Sequence, residues 1–203
     1  YQDTVEGLRE MLPKLSSIWT AIVREGGFAV VNFGDIVTGS KIVGLDEPCE
    51  YPMALEYFPV FRADLWTLWA RRIWCKPGAA VGSSRQCIGT NRAASNFEHI
   101  WTFKKNGKSF ISYQTTGEYA SQNGWIDSTH GVHLEIGLKE HGAGMPMLPA
   151  LFSISNHSLY DGIVHEPFCG TGTTLIASDK LGRKCYAIEI NPIYVDISIQ
   201  RFC

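Results

Sequence analysis

The ten residues from His165 to Thr174, HEPFCGTGTT, combine side chains and backbone that could hold an anionic or polar ligand. They follow the apolar pair Ile163-Val164, which is typical of a strand, and they precede a segment that is typical of a helix. Two glycines let the backbone approach a ligand without interference from Cβ atoms. The free amides and positive dipole end of the next helix, with three threonine hydroxyls, add donors. We therefore predict a ligand-binding turn here.

A carboxylate further along the chain narrows the class of ligand. Glu189 stands seventeen residues after Gly172, at the end of the next predicted strand. An acid at this place in an α/β sheet can accept hydrogen bonds from both hydroxyls of a ribose. Gly172 is not followed by the lysine of a P-loop, and Leu175 stands where a dinucleotide fingerprint has its third glycine. The segment therefore predicts a nucleoside-binding half-site. The missing lysine argues strongly against ATP bound in the P-loop manner, and Leu175 disfavours NAD but leaves a nicotinamide-dependent oxidoreductase as a distant alternative.

The elements that must position this turn alternate between helices and strands, which indicates a doubly wound α/β sheet. Apolar residues at three- and four-residue steps predict a first helix up to Ile22, kinked or split at Pro13. The run Phe28–Phe33 predicts a buried strand of a parallel sheet. The remaining predictions are a loop over 36–59, a helix over 60–70, strands over 71–76 and 97–103, a helix over 147–157, a strand over 163–166, a helix over 173–181, a strand over 184–188 and a helix capped by Asn191.

Charge is distributed unevenly along the chain. Nine lysines and arginines against two acids lie between Arg62 and Lys108, a local balance of +7 in a chain whose net charge is −2. Such a block predicts contact with a polyanion such as nucleic acid, although a solvated basic face would have the same composition.

The composition of the 203-residue chain excludes several classes of protein. It is 45% apolar and 19% charged, which argues against disorder, and no apolar run approaches the roughly 20 residues of a membrane span. The six cysteines form no CxxC pair and the six histidines no HExxH motif. We therefore expect reduced thiols, a cytoplasmic location and no metal site.

The segment EPFCGTGTTLIASDKLGRKCYAIEINPIYVDISIQRF resembles the S-adenosylmethionine (SAM) motif of the amino-group DNA methyltransferases, which act on adenine N6 or cytosine N4. Three other segments resemble the family more loosely: VREGGFAVVNFGD, NFEHIWTFKK and MPMLPALFSISNHS. The SAM motif stands last, as in the permuted class. The resemblance therefore implies a Rossmann-like doubly wound methyltransferase sheet with circularly permuted motif order and an inserted target-recognition region.

The resemblance also implies a division of the chain and a set of site residues. Residues 1–76 would form the catalytic half, residues 77–144 the target-recognition region with a sheet strand near 97–103, and residues 145–203 the SAM-binding half. The residues expected at the cofactor are Glu166, Phe168, Gly170, Thr171, Gly172, Thr173, Thr174, Glu189, Ile190 and Ser158, the last aided by Asn156. Those expected at the DNA are Arg71, Arg72, Lys76, Arg85, Arg92, Lys104, Lys105 and Lys108.

Within the cofactor set, the resemblance assigns roles to single residues. Glu189 would hold the ribose, Ile190 would lie on the adenine, and Ser158 would help to bind the methionine carboxylate. Thr173 and Thr174 would face the amino-acid end. Glu166 stands where the family usually has an aspartate, so that a contact there would shift by one methylene.

The family's catalytic tetrapeptide, [DNS]-PP-[YFW], has no counterpart, because the chain contains no Pro-Pro pair. In the family it precedes a Gly-Gly such as Gly26-Gly27 at a distance that places it before Tyr1, so we expect the native protein to extend further. The catalytic residues and the target base thus stay open. The expected reaction is methyl transfer from SAM to the exocyclic amine of a flipped base in double-stranded DNA, with a cognate restriction endonuclease as a candidate partner. An RNA methyltransferase, or a non-catalytic module that binds SAM and DNA, are the alternatives.

Overall fold

The computed structural model describes residues 5–38, 49–76, 97–111, 125–127 and 145–203. No helix in these ranges is long and apolar enough to cross a membrane. The elements are, in chain order, α1 (Val5–Ile22), β1 (Phe28–Phe33), β2 (Ile36–Thr38), β3 (Cys49–Tyr51), α2 (Ala54–Ala63), β4 (Thr67–Cys75), β5 (Phe97–Lys104), β6 (Trp125–Asp127), α3 (Met147–His157), β7 (Ile163–Glu166), α4 (Thr173–Lys180), β8 (Lys184–Ala187) and α5 (Pro192–Phe202).

The chain divides into two compact units. The first unit contains α1, β1 to β3, α2, β4 as far as Ile73, and β5. The second contains β6 and everything from α3 to α5. Strand β4 crosses from the first unit to the second after Ile73, and β5 belongs to the first unit.

In the first unit, β5 lies between β1 and β4. It pairs with β1 in antiparallel register, from Phe28 opposite Lys104 to Phe33 opposite His99. The strands predicted at 28–33 and 97–103 are confirmed, but this pairing of β1 is antiparallel and not parallel as expected. Burial along β1 alternates, with Asn32 exposed. A short apolar run does not distinguish a strand buried on both faces from one buried on alternate residues.

Aromatic rings fill much of the core between this sheet and helices α1 and α2. The rings of Phe61 and Phe103 stack at 4.1 Å, and Trp66 meets Phe61 edge-on at 5.8 Å. All three side chains are fully buried. Stacked and edge-to-face pairs of this kind add to the stabilisation from burial of apolar area. Helix α1 runs through Pro13 unbroken.

The region between β1 and β4 differs from its prediction. The loop expected over 36–59 contains the antiparallel pair β2 and β3 and the first part of α2. The helix expected over 60–70 ends at Ala63, because Leu65 has a left-handed backbone with φ of +64°. Burial then alternates from Thr67 onward, as in a strand. The apolar spacing of this stretch fits both the period of a helix and that of a strand, so only the turn at Leu65 shows where the helix ends and the strand begins.

The second unit follows its prediction closely. Strands β7 and β8 pair in parallel, Ile163 opposite Lys184 through Glu166 opposite Ala187, and α4 connects them. Helices α3 and α4 pack through Ala150, Leu151, Ile154 and Ala177. The helices and strands predicted from residue 147 onward are confirmed to within one residue at their ends. Asn191 caps α5 by accepting from the amide of Ile193 at 3.0 Å.

Candidate functional site

The glycine turn, which we define as Pro167–Gly172, connects the carboxyl end of β7 to α4. Gly170 and Gly172 have φ angles of +53° and +85°, a conformation that side chains other than glycine rarely adopt. The amide of Cys169 donates to the carbonyl of Ile188 at 2.9 Å, beyond the end of β8. The turn therefore lies at the carboxyl edge of both parallel strands, where ligands bind in open α/β sheets.

Glu166, the last residue of β7, joins the turn to α4. Its Oε1 accepts from the amide of Phe168 at 2.9 Å, and its Oε2 accepts from Thr174 Oγ1 at 2.8 Å. One carboxylate thus connects the first residues of the turn with the first turn of the helix.

Glu189 joins the turn to the loop after β8. Its Oε2 accepts from the amide of Gly170 at 2.7 Å, and its Oε1 accepts from the amide of Asn191 at 2.8 Å. An ionised carboxylate has about four acceptor positions, so these two bonds leave room for others. The side chain is held in place and can still accept hydrogen bonds from a ligand.

The threonine hydroxyls bind protein groups. Thr171 and Thr173 are buried, and Nη1 of Arg201 donates to both of their hydroxyls, at 3.1 and 3.4 Å. Thr173 Oγ1 in turn donates to the carbonyl of Met145 at 3.1 Å, just before α3. The hydroxyls that the sequence offers as ligand donors therefore brace the turn.

The lack of a side chain at Gly172 serves packing. A Cβ atom there would lie 2.8 Å from Cβ and 3.2 Å from Cα of Ser198 in α5. Ser198 is itself buried. Helix α5 thus packs directly against the turn, a role that the GxG pattern alone does not separate from ligand approach.

Ser158 lies at the other edge of the two-stranded sheet. Its hydroxyl donates to the carbonyl of Ile154 at 2.6 Å and accepts from Nε of Arg183 at 3.1 Å. Arg183 directly precedes β8 and Ser158 precedes β7, so both mark the amino ends of the strands. Asn156 donates to the carbonyl of Phe152 within α3. The end of α3 that bonds to the start of α4 is the opposite one, near Met145.

Sequence reasoning missed Arg201 and Met145. Arg201 lies at the end of the segment that resembles the SAM motif, but nothing in the spacing indicates that it reaches back to the turn. Met145 contributes a main-chain carbonyl, which no residue type can indicate.

Exposed apolar side chains stand next to the acids of the site in the sequence. Phe168 is 55% exposed, Ile188 is 59% exposed and Ile190 is 95% exposed. They flank Glu189 and the turn in sequence and lie after the carboxyl ends of β7 and β8. Exposed apolar side chains beside fixed polar groups are typical of sites that take a flat, partly apolar ligand.

Cys169 lies inside the glycine turn but is not poised for reaction. Burial raises the pKa of its thiol to about 11, and the charges of Glu166, Cys185 and Glu189 act in the same direction. A nucleophilic cysteine requires the thiolate. The side chain is therefore a neutral, half-buried part of the turn at physiological pH.

The basic residues expected at DNA fall into different environments. Lys105 Nζ donates to the carbonyls of Thr20 and Val23, the latter at 2.7 Å, and so caps the end of α1. Lys104 Nζ donates to the carbonyl of Gly107 at 2.7 Å and lies 4.8 Å from the ring of Trp69.

The other members of that set differ in exposure. Arg71 and Lys108 are exposed. Lys76 Nζ lies 4.5 Å from the ring of Trp74. Arg72 is half-buried, and burial lowers the pKa of its guanidinium. Arg85 and Arg92 lie outside the described residues.

A second acid follows a strand in the first unit. Asp35, two residues after β1, accepts from the amide of Met53 at 2.8 Å, and its Oδ2 lies 3.4 Å from Nε2 of His99. The ring of Phe33 stacks on Tyr57 at 4.6 Å beside it. This acid is held by groups from two distant segments.

Three known proteins illustrate what the chain is similar to. The type II methyltransferase M.SmaI of Serratia marcescens is 28% identical over 142 residues, which are 68% of this chain and 47% of that protein. The PvuII DNA methyltransferase, described as cytosine-N4-specific, superposes with a TM-score of 0.78 at 18% identity, over 96% of this chain and 70% of that one. A candidate DNA modification methylase of Thermus thermophilus, crystallised with SAM, gives a TM-score of 0.74 at 19% identity, over 97% of this chain and 77% of that one.

The structural likenesses confirm the Rossmann-like methyltransferase fold predicted from the sequence. The chain spans about half the length of the curated relatives it matches. The model of the N6_N4_Mtase family, whose description reads DNA methylase, matches residues 1–200. Since that match extends over nearly the whole chain, the chain belongs to the N6/N4 DNA methylase family.

Proposed function

We propose that the protein is a SAM-dependent DNA methyltransferase that acts on an exocyclic amine, cytosine N4 or adenine N6. The observation that carries this proposal is the glycine turn, whose amide at Gly170 is fixed by the Glu189 carboxylate at 2.7 Å. The family match and the SAM-bound relative from Thermus thermophilus support it.

The glycine turn and the loop after β8 fit the adenosine part of SAM. Glu189 has acceptor positions left for the ribose hydroxyls, while Phe168 and Ile190 offer exposed apolar surface to the adenine. Glu166 holds the turn in shape through Phe168 and Thr174. SAM, when bound, supplies an electrophilic methyl group. We leave Ser158 out of this site, because it is bonded to Arg183 at the opposite edge of the strands.

We also propose that the basic block contacts DNA phosphates through Arg71, Arg72, Lys76, Lys104 and Lys108, together with Arg85 and Arg92. Lysine and arginine contacts to phosphate give affinity and register on the duplex without reading the base. Lys105 is excluded from this set, because its ammonium group is used at the end of α1.

Several finer predictions belong to the same proposal. They are the permuted motif order, the target-recognition role of residues 77–144, a cytoplasmic location and a cognate restriction endonuclease as partner. The name of M.SmaI as a type II methyltransferase supports the last of these.

A second candidate function rests on one feature of the sequence. The chain has no Pro-Pro pair, and the family's tetrapeptide contains one. This chain by itself would then bind SAM and DNA without catalysis.

The first experiment measures SAM binding by calorimetry, with Glu189→Ala as the matched variant. The second incubates the protein with SAM and unmodified DNA, or with structured RNA, and identifies methylated nucleosides by mass spectrometry. N4-methylcytosine or N6-methyladenine would support the main proposal and identify the base. SAM binding without any product would favour the binding module, methylated RNA would favour the RNA enzyme, and absence of SAM binding would contradict all three.

A further inference from the structure

Arg201 reaches from the last turn of α5 to the glycine turn, 30 residues earlier in the chain. Its Nη1 donates to the carbonyl of Thr171 at 2.5 Å and to the hydroxyl of the same residue at 3.1 Å. It also lies 3.4 Å from the hydroxyl of Thr173. Charge-assisted bonds from a guanidinium are among the stronger hydrogen bonds in proteins.

The same face of α5 makes a second contact with the turn. Ser198 is one helical turn before Arg201, and residues three apart lie on one side of a helix. Its Cα and Cβ occupy the space that a side chain at Gly172 would need. Helix α5 thus holds Thr171, Gly172 and Thr173, the last residues of the turn and the first of α4.

Arg201 is placed to act through the turn. Both threonines that it contacts are buried, 4% and 5% exposed. Glu189 binds the amide of Gly170, and Arg201 binds the carbonyl of the next residue, Thr171. Loss of the guanidinium would therefore free the segment whose backbone presents the amides at the start of α4.

We propose that Arg201 is a positioning residue for SAM: it sets the shape of the glycine turn and thereby the affinity for the adenosine moiety. This inference rests on the proposed SAM site. The end of α5 would then affect cofactor binding through the glycine turn, without touching the cofactor.

Arg183 provides a matched control within the same unit. Its guanidinium donates to the carbonyl of Ser158 at 2.8 Å, to the hydroxyl of Ser158 at 3.1 Å and to the carbonyl of Leu181. The kind of bond is the same as at Arg201, but it lies at the amino edge of β7 and β8. An arginine that matters only for stability should behave alike at both places.

The test compares Arg201→Met, Arg201→Lys and Arg183→Met with the unaltered protein, well below the unfolding midpoint of each. SAM and S-adenosylhomocysteine affinities are measured by calorimetry. Arg201→Met should weaken both ligands by the same factor, about 10- to 100-fold, since they share the adenosine and the loss is that of a charged hydrogen bond. Arg201→Lys keeps a donor, so its affinities should lie between those of Arg201→Met and the unaltered protein. Arg183→Met should change the affinity for neither ligand by more than about twofold.

Amide hydrogen exchange without ligand tests whether Arg201 holds the glycine turn, independently of cofactor binding. Exchange at Gly172 and Ile176 should quicken in Arg201→Met and not in Arg183→Met. Equal losses of affinity in both methionine variants, or unchanged exchange and affinity in Arg201→Met, would overturn the inference. An unaltered protein that binds no SAM would instead contradict the proposed function, while the exchange result would still decide whether Arg201 shapes the turn.

Discussion

In the second unit the carboxylate that ends β7 binds groups two and eight residues further along the chain. In the first unit the carboxylate after β1 binds the amide of Met53 and faces His99, which are 18 and 64 residues away. Other polar anchors of the first unit span similar separations: 46 residues from Trp66 to Thr20 and 85 from Lys105 to Thr20.

The contrast separates two ways of building a polar site at a strand end. The glycine turn is held by groups at most 30 residues away in the chain, which lie in β7, in the loop after β8 and in α5. Asp35 depends on the register of β5 and on the position of α2. We therefore expect changes in the turn to be local and severe, and changes around Asp35 to be shared among several elements.

The largest effect should come from Gly172→Ala. An alanine would adopt a left-handed backbone at φ of +85° and would meet Cβ of Ser198 at 2.8 Å. Strain and overpacking together should cost about 2–5 kcal/mol. Thermal or urea unfolding would measure this loss, and SAM binding should weaken with it because the turn is displaced.

The double variant Gly172→Ala with Ser198→Gly separates the two causes. It removes the steric contact and keeps the backbone strain, so it should recover part of the loss. No recovery would show that packing against α5 contributes nothing, and that the glycine is required for its backbone alone.

A pair of amide substitutions compares the two acids directly. In Glu189→Gln the side-chain NH2 must face either the Gly170 or the Asn191 amide, so SAM affinity should fall about 10-fold or more. In Asp35→Asn the remaining oxygen still accepts from Met53, and the NH2 faces a ring nitrogen that can accept. Stability should then change by less than about 1 kcal/mol. A large loss of SAM affinity in Glu189→Gln together with a large loss of stability in Asp35→Asn would contradict the contrast between the units.

The helices and strands of the second unit could be predicted from the sequence because the residues that mark them are close together in the chain. The glycines, Glu166, Glu189 and the Asn191-Pro192 cap lie within one continuous segment, which also contains the groups that bind the two carboxylates and the cap. The sequence does not indicate that Ser158 bonds to Arg183, because the proximity of α3 to a motif does not say which end of the helix meets it; a role of Ser158 at SAM stays a prediction. The bonds of Lys105 were not predictable either, because composition counts charges and cannot show that an ammonium group caps a helix more than eighty residues earlier. Helix α2 and strand β4 were misplaced because the turn at Leu65 carries no glycine to mark it.

A smaller effect should separate Lys105 from Lys108, two residues that the charge pattern treats alike. Lys105→Met removes two bonds to the carbonyls at the end of α1 and should cost about 1–2 kcal/mol. Lys108 is exposed, so Lys108→Met should change stability by less than about 0.5 kcal/mol. In DNA binding the order should reverse: Lys108→Met should reduce the salt dependence of affinity by about one counterion. A reduced slope in Lys105→Met with unchanged stability would return that lysine to the DNA interface.

The smallest effect concerns a long-range ion pair of the first unit. Glu56 accepts from Nη2 of Arg9 at 2.8 Å and from its Nε at 3.0 Å, and these bonds hold the pKa of the carboxyl below its ordinary value of 4.5. Because the folded pKa is the lower one, the pair stabilises the protein above pH 4.5, and the stabilisation is lost as the pH falls below that value.

The unfolding midpoint of the unaltered protein should therefore exceed that of Glu56→Gln by a constant amount from about pH 5 to 8, and the difference should shrink at more acidic pH. Glu10→Gln, at an exposed position of α1, controls for acid effects that are common to any lost carboxylate. A difference that persists unchanged well below pH 4.5 would mean that Glu56 acts through shape and its bond to Tyr51, and that charge pairing between α1 and α2 contributes little to the long-range assembly of the first unit.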